Sequence, residues 1–323
     1  MGLKITVKTV VLTLGFIAVF AVGILIGKLR GIPFIHKQHG YSIGIYSGRS
    51  PFDLQPAADV ENPVLSAKSV TDVPAEFVAD PFMLIEDDTW YMFFEVMNTS
   101  TNQGDIGLAV SSDGFNWTYK QIVLDEPFHL SYPYVFKWDN KFYMIPETLQ
   151  ADSVRLYEAL DFPLNWSFVK ELITGEYVDS SILHYDEQWW LFTSKCRNDV
   201  LHLFYAKDLT GAWTEHPQSP IILRDANIAR PGGRVVIYNG QPVRFTQDCD
   251  PDYGIQVRAF LITKLTTESY QEEEVPMNPV LRGSGSGWNA QRMHHIDPHQ
   301  MDDNQWIACV DGYKQVIAFG LKF

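Results

Sequence analysis

Three cysteines in 323 residues leave little for covalent stapling. Cys196, Cys249 and Cys309 are odd in number, lie far apart and show no Cys-x-x-Cys spacing, which excludes zinc-ribbon and redox-motif readings. Each reads as a small core residue. Gly-x-Gly-x-x-Gly, the phosphate loop, Gly-x-Ser-x-Gly and His-Glu-x-x-His are absent too, so nucleotide, hydrolase-elbow and zincin chemistries have no motif behind them. Positive charge is scarce: 25 Lys and Arg against 39 Asp and Glu give a net charge of −14. Such a chain repels nucleic acid and anionic head groups and favours a neutral or cationic ligand.

Helical patterning is confined to one place. Val10 to Gly27 is an almost uninterrupted apolar run with Lys4 and Lys8 before it and Lys28 and Arg30 after it. A membrane-spanning helix needs ~20 apolar residues, and the run lacks the Ala-x-Ala cleavage site of a secretory signal. The expected organisation is a tail at 1–8, a single transmembrane anchor at 9–27, a linker at 28–40 and one large domain at 41–323. Basic residues flank both ends of the run, so charge does not fix its orientation. The short tail favours an extracytoplasmic or lumenal domain.

Everything after the linker is β-patterned. Phe77 to Glu95, FVADPFMLIEDDTWYMFFE, reads as two strands joined by the acidic turn Glu86–Asp88. The pattern returns as LSYPYVFKWDNKFYMIPET, YVDSSILHYDEQWWLFTSK, IARPGGRVVIYNGQPVRFTQD and HHIDPHQMDDNQWIACVDG. The opening residues Asp80, Tyr132, Asp179, Arg230 and Asp297 stand 52, 47, 51 and 67 residues apart. Repeats of ~40–50 residues with four strands each are the mark of propeller blades. The last spacing absorbs an insert, Asn278 to Ala290, which reads as a flexible loop between blades. Trp117, Trp166 and Trp213 recur at the start of a fourth strand and read as packing between blades. The fifth repeat, ending in KQVIAFGLKF, has no fourth strand, and Tyr41 to Leu54 is an unassigned β-patterned stretch. The fold class is therefore all-β, a five-bladed propeller closed by an N-terminal strand and preceded by one transmembrane helix; a six-bladed ring or paired β-sandwiches fit five hairpins less well.

In a propeller the mouth of the central channel is built from the start of each first strand and the end of each second strand. Asp80, Tyr132, Asp179, Arg230 and Asp297 take the first set of places. Glu95, Glu147, Ser194 or Lys195, Gln247 or Asp248, and Asp311 take the second. So many carboxylates are costly to bury without partners, and repulsion among them separates their pKa values. One protonated and one ionised carboxyl is what glycosidic bond cleavage requires. The candidate binding residues are Glu95, Tyr132, Arg230, Asp248, His295 and Asp297, with His129, Tyr134 and Trp288 as flat faces for sugar rings. His294, His295, Asp297, His299, Asp302 and Asp303 have metal-ligand residue types. No cofactor is required, and the carboxylates allow a structural cation in the channel, more naturally a hard ion than zinc.

The Ala-Asp-Pro step of the first repeat, the Ile-Pro-Glu of the second and the Val-Asp-Ser-Ser of the third resemble the five-bladed propeller glycosidases of families 43, 32 and 68. That resemblance implies Asp80 as base or nucleophile, Asp179 as a pKa modulator and Glu147 as the acid, with Glu95 as an alternative acid. The runs SIGIYSGRSPFDL, ADPFMLIEDDTWYMFFEV, HLSYPYVF, YMIPET and HHIDPHQ are similar to the N-terminal propeller domain of the glucosamine inositolphosphorylceramide transferase family. It implies the fold, a membrane-proximal setting and a glycan or glycolipid context. In the plant proteins of that family glycosyl transfer belongs to a separate C-terminal domain, so transfer is not implied for these residues. The expected function is a carbohydrate-active propeller that cleaves or transfers a glycosidic bond. The alternative is a non-catalytic module that holds a glycan or glycolipid for a partner glycosyltransferase, and a pure scaffold is the third reading.

Overall fold

The repeat has a backbone cause. In four blades the first two strands are joined by two residues that both have left-handed backbone: Asp87-Asp88 (φ 47° and 57°), Asp139-Asn140 (49° and 58°), Asp186-Glu187 (52° and 58°) and Asn239-Gly240 (51° and 80°). Across them Glu86 pairs with Thr89, Trp138 with Lys141, Tyr185 with Gln188 and Tyr238 with Gln241. This is the hairpin turn whose twist matches that of its strands, and Asp, Asn and Gly tolerate it best.

The structure, a computed structural model, describes residues 7–29, 35–38, 40–302 and 305–319. Blade one runs Ala75–Glu86, Thr89–Asn98, Gln103–Ser111 and Thr118–Leu124; blade two runs Ser131–Trp138, Lys141–Glu147, Ser153–Asp161 and Asn165–Thr174. Blade three is built on Val178–Tyr185, Gln188–Ser194 and Val200–Ala206, and blade four on Arg230–Pro231, Gln241–Asp248, Gln256–Leu265 and Tyr270–Glu274. Blade five takes Ile296–Asp302 and Gln305–Tyr313 from the end of the chain and Tyr41–Ser50 and Asp53–Pro56 from its beginning. Closure from the N-terminus is as expected, but it supplies two strands, not one. Tyr41 to Gly48 pair residue by residue with Trp306 to Tyr313. That leaves no edge for Val316–Phe319, which the sequence reading placed in this blade. Those residues pair instead with Ile35–Gln38 in a separate two-stranded sheet.

Two compact units result. One is Gly40–Lys314, the propeller; the other contains the N-terminal segment and the residues from Gln315 onward. The second unit includes a helix, Val7–Leu29, on which Leu12, Phe16 and Phe20 are exposed. Among the described residues no helix is long and apolar enough to cross a membrane. The tail at 1–6, linker residues 30–34 and Asp303 lie outside the described residues.

The propeller core lies between blades. Trp117, Trp166 and Trp213 each donate the indole N–H to a carbonyl of the preceding turn, at Gly114 (2.9 Å), Pro163 (3.0 Å) and Leu209 (3.1 Å). The N–H is thereby satisfied while the ring packs. Phe93 of blade one meets Trp166 of blade two edge to face at 5.4 Å. Of the cysteines only Cys309 is buried; Cys249 is half-buried and Cys196 exposed, so the core reading holds for one of three. The insert after blade four is fastened to it. Leu281–Arg282 pairs with Gln256 and Val257, and the Asn278 side chain bonds both the N–H and the carbonyl of Ala259 (2.7 and 2.9 Å).

Candidate functional site

The site begins with a defect repeated three times. The first strands of blades one, two and three lose register with their neighbours between Ala79 and Phe82, Ser131 and Tyr134, and Val178 and Ser181. Inside each break one residue is left-handed: Asp80 (φ 51°), Tyr132 (46°) and Asp179 (44°). A bulge re-aims a side chain, and positive φ on a residue other than glycine costs free energy, so both are kept where geometry is in demand. These are three of the five opening residues picked out by the repeat.

At the mouth of the channel lies a cavity of about 200 Å³. Asp80, Glu95 and Glu147 line it with Ser131, Arg230, His294 and His129, and Tyr41, Phe77 and Tyr253 provide aromatic wall. Arg230 organises one side. Its Nε donates to Asp179 Oδ2 (2.7 Å), one terminal nitrogen to Asn198 Oδ1 (2.7 Å) and the other to Glu147 Oε2 (3.3 Å). Gln247 Nε2 also donates to Asp179 Oδ2, at 2.6 Å. On the other side Asp311 accepts from the backbone N–H of His294 (3.1 Å) and His295 (3.0 Å) and from that of Asp80 (3.3 Å). Its Oδ2 also lies 2.6 Å from His294 Nδ1, which leaves His294 Nε2 at 3.8 Å from Asp80 Oδ1.

Burial sets the protonation pattern. It pushes Asp80 up to about 7, against the pull of His294 and with the help of the Asp179 charge. Glu147 is raised well above the carboxylate range by burial and by Asp179, which Arg230 only partly offsets. Glu95 is raised well above it by burial and by the charges of Asp80 and Glu147. Burial opposes charge on His294, but Asp311 and Asp80 outweigh it and raise its pKa. His129 is lowered by burial, and its Nδ1 accepts the Gly104 N–H (2.8 Å), which fixes a neutral ring. The mouth thus holds three carboxyls with raised pKa values, Asp80 at about 7 and Glu95 and Glu147 raised by burial and by their neighbours' charge.

The other sequence candidates lie away from the cavity. Asp179 is buried beneath it, under Arg230. Tyr132 is fully buried, its hydroxyl accepting the Gly233 N–H (2.7 Å) and lying 2.8 Å from Ser181 Oγ. His295 is lowered to about 4, chiefly by burial, and its Nε2 sits on the Pro81 carbonyl (2.9 Å). Asp297 pairs with Arg234 Nε (2.5 Å), whose other end donates to the carbonyls of Met83 (3.1 Å) and Val135 (3.0 Å). An arginine therefore supplies the positive charge beside Asp297. Asp248 is held by Arg258 (3.0 Å), Asn227 (2.7 Å) and Gln256 (2.7 Å) and takes no part in the cavity wall. The hydroxyl of Tyr134 donates to Ile182 O (2.6 Å), and Trp288 packs behind Gly44 and Gly312, so neither offers a face to a sugar. Among the described residues the one group with metal-ligating geometry is Asp80, His294 and Asp311, whose ligand atoms lie within 4.8 Å of one another; His299 sits on Asp297 instead (2.8 Å).

Tyr41, Phe77, Ser131, Asn198 and Tyr253 were not singled out by the sequence. Tyr253 had a signal: it sits in the Asp-Pro-Asp-Tyr-Gly loop that lengthens the middle connection of blade four. Its ring carries the Arg230 guanidinium at 5.1 Å and meets His294 edge to face at 5.4 Å.

Fold and site together define a class: an all-β five-bladed propeller with an acidic cavity at one mouth of its channel. The same fold is found in the catalytic domain of a Coprinopsis cinerea GH62 alpha-L-arabinofuranosidase, with a TM-score of 0.57 and 12% identity over 84% of this chain and 97% of that one. A thermostable family-43 glycoside hydrolase gives 0.56 and 15% over 82% and 96%. The particular family is closer. The chain belongs to the family described as glucosamine inositolphosphorylceramide transferase 1, N-terminal, which matches residues 35–313. Glucosamine inositolphosphorylceramide transferase 1 of Oryza sativa subsp. japonica is 42% identical over 84% of this chain, and that of Arabidopsis thaliana 38% over 85%. The chain spans about 40% of the length of these relatives.

Proposed function

We propose that the mouth cavity holds a terminal sugar and that the propeller cleaves or transfers its glycosidic bond. The observation that carries this reading is one cavity lined by Asp80, Glu95 and Glu147, with Asp179 and Arg230 set against Glu147. Glu147, its pKa raised by burial and by Asp179, has the chemistry of the acid; Asp80, at about 7 beside His294, that of the base or nucleophile; Asp179, sharing Arg230 with Glu147, that of the modulator. At about 200 Å³ the cavity is smaller than the ~300–1,000 Å³ of drug-sized pockets, which suits one sugar residue. The relatives carry the name of a glucosamine inositolphosphorylceramide transferase, and we take a glycolipid headgroup as the natural source of that sugar. We take the apolar run at 10–27 as a membrane attachment and the short tail before it as placing the propeller on the extracytoplasmic or lumenal side, a reading that cell fractionation with protease protection tests.

Sugar release from aryl glycosides and native glycolipids by the whole chain tests the activity. Wild type is expected to turn over, and Asp80→Asn and Glu147→Gln each to lose about a hundredfold or more, as expected for removing a general base or acid. A second reading, a module that holds the glycan for a partner glycosyltransferase, is favoured by Arg230, which ties up Glu147 and Asp179 together. Glycan binding that survives both substitutions, with no turnover by wild type, would select it.

A further inference from the structure

The longest spacing of the repeat, 67 residues, falls between the last two openings, and none of the added residues at 278–290 lines the mouth cavity. They build a wall elsewhere. Between blades four and five lies a groove of about 970 Å³, nearly five times the size of the mouth cavity and lined by different residues. One wall is the insert, residues 277–285; the other is the outermost strand of blade five, Asp53–Pro56. Tyr46, Leu54, Leu281 and Met293 are its buried floor.

The groove is pre-formed. Besides the ties of Asn278 and Leu281–Arg282 to blade four, the Ser284 N–H donates to Asn289 O and the Gly285 N–H to Ala290 O, both at 3.0 Å. Asn289 Nδ2 then donates to the Tyr46 hydroxyl of blade five (2.9 Å), so the insert is fastened to both blades. A wall held in this way loses little conformational freedom when something binds to it.

What the walls present is main chain. Asp53–Pro56 is the last strand of its sheet, and Leu281–Arg282 pairs on one side only, with Gln256 and Val257. Among the described residues each therefore has an outer edge without a strand partner. Rims elsewhere are covered. Asp72 takes the N–H of Ile122 on the outer strand of blade one (2.7 Å), and Lys170 on the outer strand of blade two reaches the carbonyls of Thr210 and Gly211 (2.7 and 3.1 Å). The aromatic rings of the groove are engaged: the Tyr46 hydroxyl takes the Asn289 side chain, and Phe52 meets Tyr238 edge to face at 5.0 Å. A sugar ring thus finds no open aromatic platform here, whereas a strand finds edges to pair with.

We propose that this groove binds an extended polypeptide segment of another protein, about four to six residues long, which adds a strand to one or both edges. Pro56 ends one edge and Pro279 precedes the other, and neither has an N–H to give, so the pairing stretch is short. Side chains alternate along a strand. Apolar ones at every second place meet the buried floor, and polar ones between them meet the exposed Asp53, Gln55 and Arg282. The site stands apart from the mouth and does not depend on the sugar reading.

Panning a phage-displayed library of random heptapeptides on the whole chain tests the proposal, with the double variant Gln55→Trp, Met277→Trp as the counter-selecting chain. Both positions are exposed and line the groove, so the double variant is expected to fill it and to keep the wild-type melt. Enriched peptides are expected to alternate apolar and polar residues and to bind wild type about tenfold or more tighter than the double variant. Methylating alternate peptide nitrogens of the same sequences is expected to weaken them by about tenfold or more. Hydrogen exchange is expected to show the bound peptide slowing amides within 53–55 and 281–282. Should the double variant melt below wild type, the N-methylated peptides carry the test, because they leave the protein unchanged. No enrichment from the library, equal binding of native and N-methylated peptides, or slowed exchange confined to other residues would overturn the proposal. Cellohexaose that slows the same amides and displaces the peptides would overturn it in favour of a glycan groove.

Discussion

Two aspartates of the same channel have opposite fates. Asp297, midway down and wholly buried, is met by Arg234 and His299, and these outweigh burial and hold its carboxyl far below the usual range. Asp80, at the mouth and nearly as buried, meets among the described residues only imidazoles, at 3.7–3.8 Å, and is pushed up to about 7. The middle of the channel has solved its electrostatics internally; the mouth has not. Buried charge with a full set of partners is architecture, and buried charge short of partners is where a ligand belongs.

The largest effect should come from breaking the satisfied half. Arg234→Met strips Asp297 of its guanidinium and the Met83 and Val135 carbonyls of their donors, and is expected to destabilise the propeller by ~3–5 kcal/mol, read from chemical denaturation. Next is the unsatisfied half. Because the folded-state pKa of Asp80 lies above its unfolded value, its contribution is lost as pH rises from about 4 to about 7. Asp80→Asn should therefore stabilise the chain at pH ~8 by up to about 4 kcal/mol and by little at pH ~4. Asp297 has the reverse sign: its depressed pKa gives stability that is complete above about pH 4 and fades as pH falls further. Thermal melts of wild type and Asp80→Asn across pH separate the two. A variant less stable than wild type at pH ~8 would place Asp80 with the paired groups. The smallest effect is expected of Tyr132→Phe, which orphans the Gly233 N–H and costs ~1–2 kcal/mol in the same denaturation assay, without change in sugar binding.

The blades were legible because their information is local. A turn such as Asp-Asp or Asp-Asn between β-rich runs announces a hairpin wherever it occurs, and five hairpins at a steady spacing announce a ring. The same spacing found Asp80, Glu95, Glu147 and Arg230, whose side chains do share one cavity. It failed where blades depart from each other. Blades one to three carry a bulge with a left-handed residue, and no repeat pattern shows which residue the bulge turns inward. Tyr132 therefore passed for a mouth residue although its hydroxyl is locked on Gly233. In blade five the matching aspartate, Asp297, lies deeper, and the mouth is served by His294, three residues earlier. Asp248 was paired away by Arg258, ten residues on and reaching it from the neighbouring strand of the same blade, a partner that the opening and closing positions of the repeat do not mark. Tyr41 reaches the cavity because blade five borrows it from the start of the chain.

That borrowing has a consequence for how the molecule is made. Residues Tyr41–Pro56 leave the ribosome among the first of the propeller, carrying the apolar Ile43 and Ile45 that end wholly buried. Their hydrogen-bonding partner, Gln305–Tyr313, is the last of the propeller strands to be translated. Throughout synthesis an unpaired, apolar β-edge waits while four blades assemble behind it, the kind of edge that recruits other chains or chaperones. The ring's final stitch joins the oldest of the propeller strands to the youngest. Tyr41 and His294, stacked on each other at 4.6 Å, join Asp80 at the cavity only at that moment, so a nascent chain cannot display a complete mouth before it can close.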